Sequence, residues 1–170
     1  DDTPMWPVLQ HALQQSEQET GELYDMVLLL DPTSPARERA DVSQVVERLL
    51  ECAAAYGVVG VSKPDFNPLW NCVVERDDWM EDLVAGGSDY DRRQDAPDVY
   101  RINGSLYLWR AGFVRNEKRS WRQTGRHLIY EIPEIRAMSL DSAIEFRKAD
   151  LLVKGGLINL PWLAGARKNI

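Results

Sequence analysis

The chain has 170 residues, 44% hydrophobic and 28% charged, which is room for one ordinary globular domain and excludes a disordered or collagenous chain. Lys and Arg number 20 against 27 Asp and Glu, a net charge of −7. A nucleic-acid polymer or an anionic membrane surface is therefore not an expected partner, because affinity for a phosphate backbone rests on clustered cations. Small anionic ligands stay admissible, since local arginines act against the global sign. The longest apolar run, Met26 to Leu30, is far short of the ~20 residues of a membrane span. The opening residues show neither the cationic nor the apolar stretch of a signal peptide, so a cytoplasmic location is expected. Cys52 and Cys72 have no zinc-type spacing to a histidine and read as reduced, buried, small apolar residues.

In chain order, Trp6, Val8, Leu9, Ala12 and Leu13 predict an amphipathic helix over 4–19, stopped by Gly21. The run 26–30 predicts a strand buried on both faces. A dense loop with two prolines, 31–37, follows. Val42, Val45, Val46, Leu49, Leu50 and Ala53 predict a second helix with Gly57 as its C′ residue, and 58–62 a second buried strand. Strand, loop, helix, strand is a βαβ rhythm and argues for an α/β fold with a mostly parallel sheet. Ligands of such folds sit at the carboxyl ends of the strands, where the 31–37 loop lies. Beyond an irregular stretch at 63–70, strands are predicted at 71–75, 100–109 and 128–132, and a polar loop at 86–97. Gly104 marks a bulge. A last helix over 141–154 should turn Ala143, Ile144, Phe146, Ala149 and Leu151 to a core, followed by an apolar tail at 157–162.

Several side chains carry candidate chemistry. Asp31, Thr33 and Ser34 either hold sugar or ribose hydroxyls or cap turns. Arg92 and Arg93, beside Gln94, either fork onto a carboxylate or phosphate or form a solvated pair offsetting Asp89, Asp91 and Asp95. Arg101 and Asn103 open a strand otherwise rich in apolar residues, where polar groups are costly unless paired; Tyr107 on it is either core or site. Asp141 or Ser139 either caps the last helix or, for Asp141, binds Mg²⁺ together with phosphate oxygens. His11 and His127 have no catalytic partner in sequence. The six tryptophans read as core or interface. Neither common Gly-rich phosphate loop is present.

Five segments in order, Leu28-Leu-Leu-Asp-Pro-Thr-Ser-Pro-Ala-Arg37, Val59-Gly-Val-Ser62, Asn67-Pro-Leu-Trp70, Arg93-Gln-Asp-Ala-Pro97 and Tyr100-Arg-Ile-Asn-Gly-Ser-Leu-Tyr107, resemble the acylneuraminate cytidylyltransferase family, the CMP-sialic acid synthetases and their relatives for other nonulosonic acids. The resemblance implies a Rossmann-like nucleotidyltransferase fold with helices on both faces of the sheet. It implies transfer of CMP from CTP to the anomeric hydroxyl of a 2-keto sugar acid, with pyrophosphate released and Mg²⁺ as cofactor. It places Asp31, Thr33, Ser34, Arg37, Arg93, Gln94, Arg101, Asn103 and Tyr107 at the sugar acid, with the carboxylate met by Arg93 or Arg101. Asp141 becomes the catalytic, metal-binding aspartate. It also implies a homodimer, with 66–98 as the dimerisation and sugar-binding excursion of a single domain over 1–170.

Three departures change the expectation. Asp31 stands where the family commonly has Gln, an acceptor-only group in place of an amide. Ser139 replaces the first aspartate of the Asp-x-Asp metal pair. The family's N-terminal strand and triphosphate-gripping loop have no counterpart, so the chain reads as the C-terminal portion of a cytidylyltransferase and should be weak or inactive alone. Two alternatives stay open: a non-catalytic sugar-acid or nucleotide binding and dimerisation protein, and a different sugar nucleotidyltransferase of the same fold. Sialic, legionaminic, pseudaminic and shorter keto-deoxy sugar acids all fit.

Overall fold

In the computed structural model, which describes residues 3–160 apart from the Arg93 side chain, the first helix is α1 (Met5–Thr20). Gly21, at φ 72°, ends it by donating its N–H to Glu17 O. Trp6 and Leu13, two turns apart, are its buried residues. The further elements are β1 (Met26–Leu29), α2 (Arg39–Glu51), β2 (Gly57–Ser62), α3 (Pro68–Asn71), β3 (Val73–Arg76) and β4 (Trp79–Asp82). They are followed by β5 (Arg101–Arg110), α4 (Ala111–Asn116), α5 (Trp121–Thr124), β6 (His127–Glu131) and α6 (Ala143–Lys154).

Four strands form the central sheet in the order β1-β5-β2-β6. β2 and β6 pair parallel, and β5 runs antiparallel to both β1 and β2. β1, β2 and β6 therefore point the same way, and β5 is inserted between β1 and β2 against them. The α2 crossover skips one strand position for that reason. The carboxyl ends of β1, β2 and β6 and the start of β5 share one edge of the molecule.

Neighbouring residues along a strand face opposite ways. Val59, Val61 and Trp109 join Trp6 and Leu13 of α1, Val114 of α4 and Trp121 on one face. Val58, Leu106 and Leu108 join Val45 and Leu49 of α2 and Ile132 on the other. Helices thus cover both faces. The predicted bulge is present: β2 and β5 pair in one register up to Val59↔Tyr107 and resume at Val61↔Ile102, so extra β5 residues loop out around Gly104.

Several expectations change. The 26–30 run is not buried on both faces: β1 is an edge strand, and Leu28 and Leu30 are exposed. Gly57 is not a C′ residue. Cys52 caps α2, and Gly57 opens β2 at a close approach, where a Cβ would stand 2.5 Å from Leu108 O. The polar loop holds two short 3-10 turns, Gly87–Asp89 and Arg93–Asp95. β4 was not visible in the sequence. It forms a separate two-stranded ribbon with β3, turned by Asp77 and Asp78, both with positive φ (52° and 68°) as a tight hairpin turn requires. α6 turns nothing into a core: it has no buried residue, and Ile144, Phe146 and Leu151 are exposed. Ser142, rather than Ser139 or Asp141, caps it, its Oγ accepting from Glu145 N. Cys52 and Cys72 are free and half-buried. Trp6, Trp109 and Trp121 are core, whereas Trp79 is 75% exposed. Of the apolar tail, Ile158 is buried; residues 161–170, Trp162 included, lie outside the described residues. No helix among the described residues is long and apolar enough to cross a membrane.

Candidate functional site

The loop after β1 closes on itself. Asp31 Oδ1 accepts from Thr33 N (3.0 Å) and Thr33 Oγ1 (2.8 Å), and Ser34 N donates to Asp31 O. That is an Asx-type turn, so the turn-capping reading of Asp31 is met. Only one carboxylate oxygen is used, and no donor among the described residues reaches Oδ2. Ser34 is buried, and its Oγ has no partner among the described residues.

A second loop, between β6 and α6, lies against the first. Leu140 N donates to Thr33 O (2.9 Å), Thr33 Oγ1 lies 3.2 Å from Ser139 Oγ, and Ser139 Oγ donates to Asp141 Oδ2 (2.7 Å). Asp31, Thr33, Ser139 and Asp141 thus form one continuous line. Asp141 is exposed.

β5 supplies the floor. Gly104, at φ 73°, takes a backbone conformation that a side chain would strain, and a Cβ there would stand 3.6 Å from Asp31 Oδ2 and 3.9 Å from Ser34 Oγ. Its bare surface keeps that space open. Tyr107 is half-buried and stacks on Trp109. Burial, helped by the Asp31 charge, pushes its phenol up, so it stays protonated.

The remaining predicted residues are held within the protein. Arg37 donates through Nη1 to Asp31 O (2.6 Å) and Ser105 O (3.0 Å), which joins the loop to β5. Its burial pulls the guanidinium down against the pull of Asp31. Arg101 forks onto Glu134 through Nε and Nη2 and also donates to Ala137 O. Asn103 is buried, donating to Ser62 Oγ and accepting from Ser105 N. Ser62 Oγ in turn donates to Ile132 O, so this relay holds β5, β2 and β6 together at the bulge. Gln94 is exposed in the turn Arg93–Asp95; the Arg93 side chain lies outside the described residues. Arg92 forks onto Asp95, as the solvated-pair reading expects.

Sequence reasoning missed two groups. Glu134 answers Arg101. Asp41, on α2, is 1% exposed and accepts from Arg136 Nη1 (2.7 Å) and Nη2, Tyr130 Oη and Glu38 N. Burial alone would raise the Asp41 carboxyl; the hydrogen bonds led by Arg136 outweigh it and hold it below the usual carboxylate range. Burial, then the bond to Asp41, pushes the Tyr130 phenol up to about 12. Arg136 precedes Ser139 and Asp141, so this buried ion pair anchors the second loop to α2. A signal was present: Asp41, Val45 and Leu49 form one buried helix stripe, and a carboxylate on such a stripe needs a partner.

The donor set admits Mg²⁺ in one form. Among the described residues no group of three or more His, Cys, Asp or Glu side chains is placed to hold a metal. Asp141 offers one exposed carboxylate, as in Mg²⁺ sites completed by substrate phosphates and water.

No family model matches the chain. It is 26% identical over 149 residues to the post-translational flagellin modification protein B of Campylobacter coli, a match covering 87% of this chain and 61% of that protein. The chain thus spans about three-fifths of the length of the curated relative it matches. Two solved structures share its fold. One is the 4-diphosphocytidyl-2C-methyl-D-erythritol synthase of Anaerococcus prevotii, with a TM-score of 0.58 and 10% identity over 90% of this chain and 68% of that one. The other is a CMP:2-keto-3-deoxy-manno-octonic acid synthetase complexed with CTP, with a TM-score of 0.57 and 13% identity over 91% of this chain and 70% of that one. The chain shares the Rossmann-like α/β fold of these two structures.

Proposed function

We propose that this chain supplies the sugar-acid side of a cytidylyltransferase that transfers CMP from CTP to a 2-keto sugar acid of the nonulosonic type and releases pyrophosphate. The observation that supports this most is the meeting of the loop after β1, the Gly104 bulge of β5 and the Ser139–Asp141 loop at one sheet edge. The resemblance had assigned the sugar and metal roles to those same segments. In this reading the anomeric hydroxyl of the sugar acid attacks the α-phosphorus of CTP and pyrophosphate leaves. Asp141 is the residue that would hold Mg²⁺, which when bound would supply positive charge against the phosphate oxygens. Tyr107, Gly104 and the 31–37 loop orient the sugar. Arg37 ties the loop after β1 to β5 through Nη1, and Arg101 shapes the second loop through its fork onto Glu134. Arg93 and Gln94 belong to the 66–98 excursion, whose exposed Val73, Trp79, Met80 and Leu83 suit a homodimer contact.

The test is calorimetric titration of the chain with sugar acids, together with pyrophosphate release in the presence of CTP and Mg²⁺. Sugar-acid binding with little turnover is expected, since neither common Gly-rich phosphate-loop motif occurs in the sequence. Failure to bind any nonulosonic or octulosonic acid overturns the reading. Ser139, in place of a carboxylate, favours a second reading, a binding protein without metal chemistry. In a polypeptide that also carries a triphosphate loop, Ser139→Asp should then leave the rate unchanged, whereas a large gain in rate marks a weakened catalyst.

A further inference from the structure

The sheet edge opposite the candidate site gathers cations. There Tyr56 N donates to Arg126 O and Arg110 N to Tyr56 O, so the starts of β2 and β6 and the end of β5 meet. The segment 110–126, which joins β5 to β6 along this edge, holds six Lys and Arg residues against one acid, Glu117, in a chain of net charge −7. Arg115 forks onto Glu17, whereas Lys118, Arg119, Arg122 and Arg126 are exposed.

A cleft of about 490 Å³ opens at this edge, lined by Tyr56, Phe113, Gly112, Arg110, Glu117 and Arg119 among others. That volume lies within the ~300–1,000 Å³ of small-ligand sites. Its aromatic wall is a stacked pair, with the Tyr56 and Phe113 rings 4.8 Å apart and 7° from parallel. Phe113 also meets Trp6 and His127, which fixes its ring. Tyr56 is 42% exposed, so the face turned away from Phe113 is open. The polar wall carries two guanidinium groups and one carboxylate. Glu117 Oε1 accepts from Arg119 N (2.8 Å) and lies 3.4 Å from Arg119 Nε. Arg110 is fixed by Nε on Ala55 O and by Nη2 on Leu49 O and Cys52 O. Three guanidinium nitrogens, Nη1 of Arg110 and both Nη atoms of Arg119, are left without a partner among the described residues. A net positive lining with spare guanidinium donors suits an anion.

We propose that this cleft is a second binding site, for a small ligand of mononucleotide size made of a planar ring and a phosphate group. The ring stacks on the open face of Tyr56, and the phosphate takes the spare nitrogens of Arg119 and Arg110. The net charge of −7 favours a small ligand over a nucleic-acid strand, whose many phosphates the rest of the surface would repel. The site lies apart from the strand carboxyl ends and stands without the sugar-acid reading.

The experiment is calorimetry on the whole chain with AMP, adenosine and inorganic phosphate. AMP is the probe because the proposed transfer uses a cytidine nucleotide. It should bind at least roughly tenfold more tightly than adenosine or phosphate, each of which lacks one of the two contacts. Gly112→Glu is the blocking variant: a Cβ there meets nothing within 4 Å, so the fold tolerates it, and a carboxylate enters the cleft. AMP should bind this variant roughly tenfold or more weakly, and Arg119→Glu likewise, with thermal melts unchanged. On the wild-type chain alone, no AMP binding, or equal affinity for AMP, adenosine and phosphate, overturns the inference. AMP affinity that survives both variants overturns it too, since the nucleotide then sits elsewhere. A short single-stranded oligoadenylate that binds far more tightly than AMP replaces the small-ligand site with a strand-binding surface and overturns the proposal in that form.

Discussion

The strand-end region and the β3–β4 ribbon of the 66–98 excursion are built on opposite principles. At the strand ends, loops 31–37 and 133–141 are held by polar ties: Leu140 to Thr33, Arg37 to Ser105, Arg101 to Glu134 and Arg136 to Asp41. In the excursion, β3 and β4 pair only with each other, and apolar side chains face solvent, Met80 at 77% exposure. A lone two-stranded ribbon is marginal in water. The first region is held in a fixed shape by side chains remote in sequence. The second carries the kind of surface that becomes stable when something covers it. α6 resembles the second, with Phe146 and Leu151 exposed.

The largest expected effect breaks the first region. Asp41→Ala takes from the half-buried Arg136 guanidinium its two-oxygen acceptor, leaving Ala36 O at 3.4 Å and Glu38 at 3.7 Å, while Tyr130 Oη keeps Gln44 Oε1; removing one member of a buried ion pair costs about 3–5 kcal/mol. Urea denaturation of the variant should show a loss of this size. A loss below about 1 kcal/mol would mean the pair does not hold the loop. Because the Asp41 carboxyl is lowered, its contribution is present above the ordinary carboxylate range and is lost as pH falls through its folded-state value.

An intermediate effect lies beneath the sheet. Trp109 Nε1 donates to His127 Nε2 (3.2 Å), so that nitrogen must be unprotonated, and burial holds the imidazole below its usual 6.5. The folded state then binds fewer protons than the unfolded one. Stability from His127 is complete above pH 6.5 and declines as pH falls from there toward the folded-state value. Thermal melts between neutral pH and about pH 5 should lose the equivalent of about 1 kcal/mol, and His127→Gln should flatten that slope. An identical slope in the variant removes His127 from the account.

The smallest stability effect sharpens the contrast. Trp79→Ser, at a 75% exposed position, should change stability by no more than about 0.5 kcal/mol. Sedimentation velocity should nevertheless show weaker self-association. A large stability loss without a change in association would make the ribbon part of the core instead.

The amount legible beforehand differs between these regions for the same reason. The 31–37 loop, its place at a strand end and the Gly104 bulge were readable, because turn residues and short apolar runs act locally. β4 was not, since Trp-Met-Glu-Asp has no alternation and becomes a strand only through its register with β3. The apolar pattern of α6 was read correctly as a pattern and wrongly as burial: periodicity defines a face but not what meets it. Asp41 was overlooked because its partner Arg136 is far along the chain and joins it only when β6 returns beside β2.

The sequence by itself determined the three long helices α1, α2 and α6, most strands and the polar composition of the strand-end loops, because backbone preference and hydrophobic periodicity are properties of neighbouring residues; the short α3, α4 and α5 were not legible. Only the tertiary structure decided that β5 runs antiparallel between β1 and β2, that Arg101 forks onto Glu134, and that the Asp31 and Asp141 loops meet through Thr33 and Ser139. Those outcomes depend on distances between segments remote in sequence, and such distances exist only once the sheet has formed.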